Sequence, residues 1–245
     1  MTDIKHLDIT IDFESCGLTA SSAPMMVALV PWLRDADAEP FLTKEDVEPL
    51  VMYVDLRTCV VDGFDFDPQT LRWWSRQSQA AHEAVTRGLA EPVQDVLVTV
   101  VNYLRSLRER FHLNSICLWS QGELDIAMLR YMATKYDIPL DDIIFHTQQR
   151  DARTVILEAA LALSKQTVRD ASMTANTPEP YLMANVLSDQ ILAGSYDVYK
   201  MFAPLPDRYT NSSVAHDALY DALRTSWNTW QALRWLGSLI TNRTN

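Results

Sequence analysis

The order in which strand-like and helix-like patterns follow one another constrains this chain most: three strand patterns come first, and a fourth is set between helices. Residues 6–13 (His-Leu-Asp-Ile-Thr-Ile-Asp-Phe) alternate and then turn apolar, which predicts a strand. Residues 24–32 predict a second, reached through the small-residue turn Cys16–Ser22, and residues 50–56 a third. A helical pattern covers 69–88. A longer one covers 92–111, opened by Glu91-Pro92 with proline in the first turn. Asn114–Trp119 is a short apolar strand, followed by a helix over 122–136 that stops before Ile138-Pro139. A further helix runs from near Asp151 to about Lys165. The stretch 166–212 is polar and proline-containing at 170–180, helical at 181–200, then a loop through Pro204, Pro206 and Asn211. A final amphipathic helix occupies about 214–238. Strands first, then helix–strand–helix and a closing helix, give an α/β fold around a mixed sheet. The expected organisation is one domain over 1–245, with 166–212 as a helical insertion.

A chain of 245 residues, 48% apolar and 22% charged, can bury one sizeable core. No apolar run approaches the roughly 20 residues of a membrane span, so no membrane partner is expected. The N-terminus shows no basic region followed by an apolar stretch, hence no secretory signal. Cys16, Cys59 and Cys117 are odd in number and widely spaced, which predicts reduced thiols and a cytoplasmic setting. On that basis the sequons at Asn211 and Asn242 are set aside. The formal charge of −11 argues against a broad basic grip on duplex DNA. It leaves room for an enzyme that holds a short single strand through cations and local contacts.

Three groups of residues carry chemistry. Asp12-Phe13-Glu14 ends the first strand, and residues two apart on a strand share a face. Two like charges so placed are costly unless a cation lies between them. Asp125 follows the Asn114–Trp119 strand and a glycine turn, in the first turn of the next helix, where an acid also suits the helix dipole. Glu123, two residues before it, faces elsewhere. His216-Asp217-Ala218-Leu219-Tyr220-Asp221 opens the last helix after an Asn-Ser-Ser capping region. There a histidine can take a proton from water, and an acid more than a turn inward can complete a ligand set. Taken singly, each group is more readily read as a strand end, a helix-dipole acid or a helix opening. Together, and in this order, they supply four carboxylates and one base. Two-metal phosphodiester hydrolysis requires such a set around ions about 3.5–4 Å apart, and Mg²⁺ or Mn²⁺ prefer its oxygen ligands.

On these residues the sequence resembles the DEDDh 3′→5′ exonucleases of the ribonuclease H-like superfamily. It is most similar to the branch holding the phage exodeoxyribonuclease VIII-like, exodeoxyribonuclease A-like and Rv2179c-like enzymes. The matching segments are Ile11–Gly17, Thr70–Ser78 with its Trp73-Trp74, Leu118–Asp125, Arg150–Thr154 and His216–Asp221. The resemblance implies a ribonuclease H-like mixed five-stranded sheet flanked by helices. It implies that Asp12, Glu14, Asp125 and Asp221 hold two divalent cations, and that His216 is the general base. It also implies that Phe13 and Ser15 touch the terminal nucleotide and that Trp74 contributes to substrate binding. Asp217 is a rival ligand, disfavoured by the His-x4-Asp spacing. Where relatives more often carry Asn-Gly-x-x-Phe-Asp, this chain reads Gln121-Gly122-Glu123-Leu124-Asp125.

The expected activity is release of 5′-mononucleotides from the 3′ end of a single strand, DNA favoured. The alternatives are the same chemistry on RNA, or an inactive nuclease fold that serves as a binding module. A homodimer is left open by the long interval between Arg150–Thr154 and His216.

Overall fold

The computed structural model describes residues 4, 6–43, 47–170, 180–192, 202–210 and 216–241. Six strands form one sheet: β1 (His6–Ser15), β2 (Pro24–Trp32), β3 (Leu50–Val54), β4 (Ala90–Glu91), β5 (Ser115–Ser120) and β6 (Gln149–Asp151). Their order is β4-β3-β2-β1-β5-β6. The β1–β2 and β2–β3 pairs are antiparallel, while β1–β5, β5–β6 and β3–β4 are parallel. An antiparallel three-strand meander extended by parallel crossovers beside β1 is the ribonuclease H-like arrangement. The sixth strand, beyond the five expected, is the two-residue β4 at the edge.

β1 lies in the middle of the sheet, and its two faces differ. Leu7, Ile9, Ile11 and Phe13 point into the larger core. There they meet α4 (Val93–Arg110) through Val96, Leu97 and Val100, and α5 (Leu124–Lys135) through Met128 and Leu129. Each fully buried Leu or Ile contributes about 1.5–3 kcal/mol. On the opposite face stand Asp8, Thr10, Asp12 and Glu14, covered by α8 (Ala218–Thr241) with Ala218, Ala222 and Leu223 among Trp32, Cys117 and Trp119. Trp32 donates its indole N–H to Thr10 Oγ1 at 3.0 Å, and Ser226 Oγ of α8 lies 2.8 Å from the same oxygen. A third cluster joins α6 (Ala152–Asp170), α7 (Pro180–Leu192) and α8 through Ile156, Ala159, Ile191 and Ala232. The described parts of 166–212 therefore pack on the body of the protein. Of the helix expected over 181–200, residues 193–200 lie outside the described residues.

Local differences from the expectation have local causes. The helix expected over 69–88 is two, α2 (Pro68–Trp74) and α3 (Gln79–Thr86). Ser78 interrupts it by accepting the Ala81 N–H as an N-cap, a geometry incompatible with mid-helix placement. The third strand stops at Val54, because Asp55 caps a short helix, α1 (Leu56–Val61). The strands β4 and β6 are too short to show a period. Asp217 places its carboxylate on the Leu219 N–H and its carbonyl on the Asp221 N–H at the start of the last helix, while the Asn-Ser-Ser segment expected to cap it lies outside the described residues. Cys16, Cys59 and Cys117 are buried and unpaired. No helix among the described residues is long and apolar enough to cross a membrane.

Replacing Thr10 by Val keeps the shape and removes the acceptor of a buried indole N–H. Thr10→Val should therefore cost about 1–3 kcal/mol, read as a lower urea midpoint at unchanged m-value. An unaltered midpoint would show that this contact does not help dock α8 on β1.

Candidate active site

The acids converge because the C-terminal end of β1, the β5–α5 turn and the start of α8 meet at one end of the central strands. Asp12 and Glu14 share the α8 side of β1, and the β1–β2 register shifts between Glu14 and Ser15 as the strand ends. Gly122 makes the β5–α5 turn at φ +95°, which a side-chain-bearing residue rarely adopts. Its N–H is held by Asp151 Oδ1 at 3.0 Å, and Asp151 also accepts the Arg153 N–H and the Thr154 hydroxyl. The Arg-Asp-Ala-Arg-Thr segment thus starts α6 and fixes the turn that aims Asp125. Arg150 of the same segment is bonded to the Thr147 and Gln149 carbonyls. Asp125 Oδ1 in turn accepts the Phe13 N–H at 2.9 Å, joining α5 to the backbone between the two β1 acids.

From the other side, His216 stands just ahead of α8 in the left-handed region, at φ +70°. A non-glycine residue there is strained and must be held by its surroundings. Its N–H donates to Asp221 Oδ2 at 3.1 Å, and its ring packs edge-on against Trp73 and Trp74, with centroids at 4.6 and 5.9 Å. Ligand atoms of Glu14, His216 and Asp221 all lie within 4.8 Å of one another. The structure thus brings Asp12, Glu14, Asp125, His216 and Asp221 into one cluster. Asp217 is fully buried and paired with Arg87 at 2.6 Å, outside the ligand group, though its charge still helps to raise Glu14 and Asp221.

The electrostatics of the cluster are those of too many carboxylates in too little water. Burial, then the charges of Asp125, Glu14 and Asp221, push Asp12 well above the usual carboxylate range, opposed by Arg224. Burial first, then Asp221 and Asp125, raise Glu14 from 4.5 to about 8. Burial lifts Asp125 to about 6 against the bond from the Phe13 N–H. Asp221 is raised by burial and lowered by Arg224, whose Nη2 lies 2.6 Å from Asp221 Oδ1. Arg224 is one positive charge against four acids, and its Nε is buried without a hydrogen-bond partner. The sequence reading missed it, although the i,i+3 spacing of Asp221 and Arg224 was a visible signal. All-oxygen donors with raised pKa values suit hard divalent cations, which would neutralise the charge that Arg224 leaves uncompensated.

Beside Glu14 opens a cleft of about 460 Å³, lined by Phe13, Ser15, Leu18, Trp73, Trp74 and Leu124 among others. Trp74 is buried and donates its indole N–H to the Ser15 carbonyl at 2.9 Å. It forms a wall. Trp73, 41% exposed, presents an accessible ring between the cleft and His216.

The family model described as a 3′-5′ exoribonuclease Rv2179c-like domain matches residues 8–183, a span that takes in Asp12, Glu14 and Asp125 and ends ahead of His216 and Asp221. Among solved structures, a product-bound exonuclease I is similar at 12% identity and a TM-score of 0.41, over 78% of this chain and 47% of that one. No curated protein matches the chain.

Raised acids bind protons more tightly in the folded than in the unfolded state, so their contribution is present at low pH and lost as pH rises. For Glu14 the window runs from 4.5 to about 8. The melting temperature of chelator-treated protein should fall across that window, Glu14→Gln should flatten the slope, and Mn²⁺ should restore stability at the alkaline end. Parallel slopes for wild type and Glu14→Gln would contradict the clustering.

Proposed function

Since the chain belongs to the Rv2179c-like family of 3′-5′ exoribonuclease domains, we propose that it is a divalent-cation-dependent 3′→5′ exonuclease that releases 5′-mononucleotides from a single strand. The observation that carries this reading is the convergence of four acids and one imidazole beside an aromatic-walled cleft. Asp12, Glu14, Asp125 and Asp221 are the residues that would hold two Mg²⁺ or Mn²⁺ ions. When bound, such ions acidify the attacking water and stabilise the charge developing on phosphate and leaving oxygen. His216 accepts the proton of that water. Its backbone bond to Asp221 and its edge contacts with Trp73 and Trp74 hold the ring towards the acids.

The cleft receives the terminal nucleoside. Trp73 stacks on the base, a contact worth about 1–3 kcal/mol and indifferent to sequence. Phe13, Ser15 and Trp74 form the wall behind it, and with the chain end enclosed there the reaction proceeds from the 3′ terminus. The acidic surface, with its net charge of −11, leaves duplex without a broad basic landing site. DNA is retained as the first expectation for the substrate. The family's description as an exoribonuclease supports RNA as the second reading.

Asp12→Asn and His216→Ala should each lower kcat by about 10²-fold or more, in line with the usual worth of a positioned base, without loss of the folded far-UV spectrum. Trp73→Ala should raise KM by about 10-fold or more, following the stacking range. The assay uses 5′-labelled single-stranded DNA and RNA with Mg²⁺, Mn²⁺ or chelator, products being resolved by length. Wild-type rates in folded Asp12→Asn, or activity undiminished in chelator, would refute the reading.

A further inference from the structure

At the opposite end of β1 from the acids, a second group of ligand-bearing side chains meets on the same face of the sheet. The parallel β1–β5 register sets His6 opposite Ser115 and Asp8 opposite Cys117. A ring nitrogen of His6, a carboxylate oxygen of Asp8 and the Cys117 sulfur all lie within 4.8 Å of one another. The reaction proposed above uses none of them.

The spacing is informative. His6 Nδ1 is 2.7 Å from Ser115 Oγ, which turns Nε2 towards Asp8 Oδ2 at 3.3 Å. A charge-assisted hydrogen bond closes to about 2.7–2.9 Å, so this contact is long for one. It matches the edge of a tetrahedron instead: two ligand atoms about 2.05 Å from a common zinc ion stand about 3.3 Å apart. We propose that His6 Nε2, Asp8 Oδ2 and Cys117 Sγ form a site for a borderline-soft divalent cation of the zinc class, distinct from the carboxylate cluster and clipping β1 to β5.

The surroundings are those of a prepared ligand set. Ser115 orients the imidazole. Arg34 holds the Asp8 carboxylate through Nη2 at 2.8 Å and Nε at 3.2 Å, and the Trp119 indole N–H donates to Oδ1. Such partners fix ligand orientation in metal sites. The mixed N, O and S donors favour zinc over Mg²⁺ or Mn²⁺. Asp8 is fully buried, whereas the His6 side chain is 34% exposed, giving an ion a route inward and leaving the fourth position to water. Ligation displaces the protons of the imidazole and the thiol, so occupancy of the site rises with pH.

Co²⁺ titration of the reduced 245-residue protein tests the site. A thiolate–Co²⁺ charge-transfer band in the near ultraviolet should rise to one equivalent and be abolished by Zn²⁺. It should persist in Asp12→Asn, whose altered site contains no sulfur, and vanish in Cys117→Ser and His6→Ala, with circular dichroism verifying their fold. Zn²⁺ should also raise the melting temperature of Asp12→Asn and leave that of the double variant Asp12→Asn/Cys117→Ser unmoved. No band in the folded wild type, or a band surviving Cys117→Ser, overturns the proposal. Neither result bears on the exonuclease reading, which stands or falls with the activity of Asp12→Asn.

Discussion

The architecture depends on a central strand whose polar face has been taken out of water. β1 alternates cleanly, with Leu7, Ile9, Ile11 and Phe13 on one side and Asp8, Thr10, Asp12 and Glu14 on the other. Such alternation ordinarily belongs to a strand with one face in solvent. Here α8 lies across the polar face, so each of those side chains must find a partner or raise the free energy of the fold. Asp8 has Arg34, Trp119 and His6, and Thr10 has Trp32 and Ser226. Asp12 and Glu14 meet further acids, with Arg224 as a single partial counterweight.

That unequal provision separates the two halves of one strand. The N-terminal half of the polar face carries a single acid, Asp8, met by cationic and indole donors beside the zinc-class ligand group. The C-terminal half is left electrostatically short, held open by the backbone bond from Phe13 to Asp125 and by the strained turn at His216. A scaffold without ligands would gain nothing from such repulsion, whereas a site for dications requires it. The same device, rigid support on one side and unmet charge on the other, explains why Asp217, equally buried, is no part of the cluster: Arg87 already satisfies it.

Elements around the site have positioning roles that their composition disguises. The paired tryptophans of α2 divide the work, with Trp74 bonded to the Ser15 carbonyl and Trp73 facing both the cleft and His216. The Arg-Asp-Ala-Arg-Thr segment, rich in phosphate-binding residue types, acts chiefly through Asp151, which ties the Gly122 turn to the start of α6.

The sequence by itself determined the mixed sheet, the long helices α4 and α8 and the identities of the clustered acids. The first two rest on periods of two and 3.6 residues, local properties of the chain; the acids were picked out by their order along it together with the resemblance to the exonuclease family. It did not disclose β4 and β6, too short for a period, nor the break at Ser78, where a side-chain cap overrode helical patterning. Only tertiary structure decided that Asp217 pairs with Arg87 rather than joining the acids, that Trp73 and not Trp74 offers an open ring, and that Arg224 stands among the carboxylates. The physical reason is common to all three. Each is a question of which charge or surface a side chain meets across a long stretch of chain, and that is set by the packing of α8 and α2 against β1, not by neighbours in sequence.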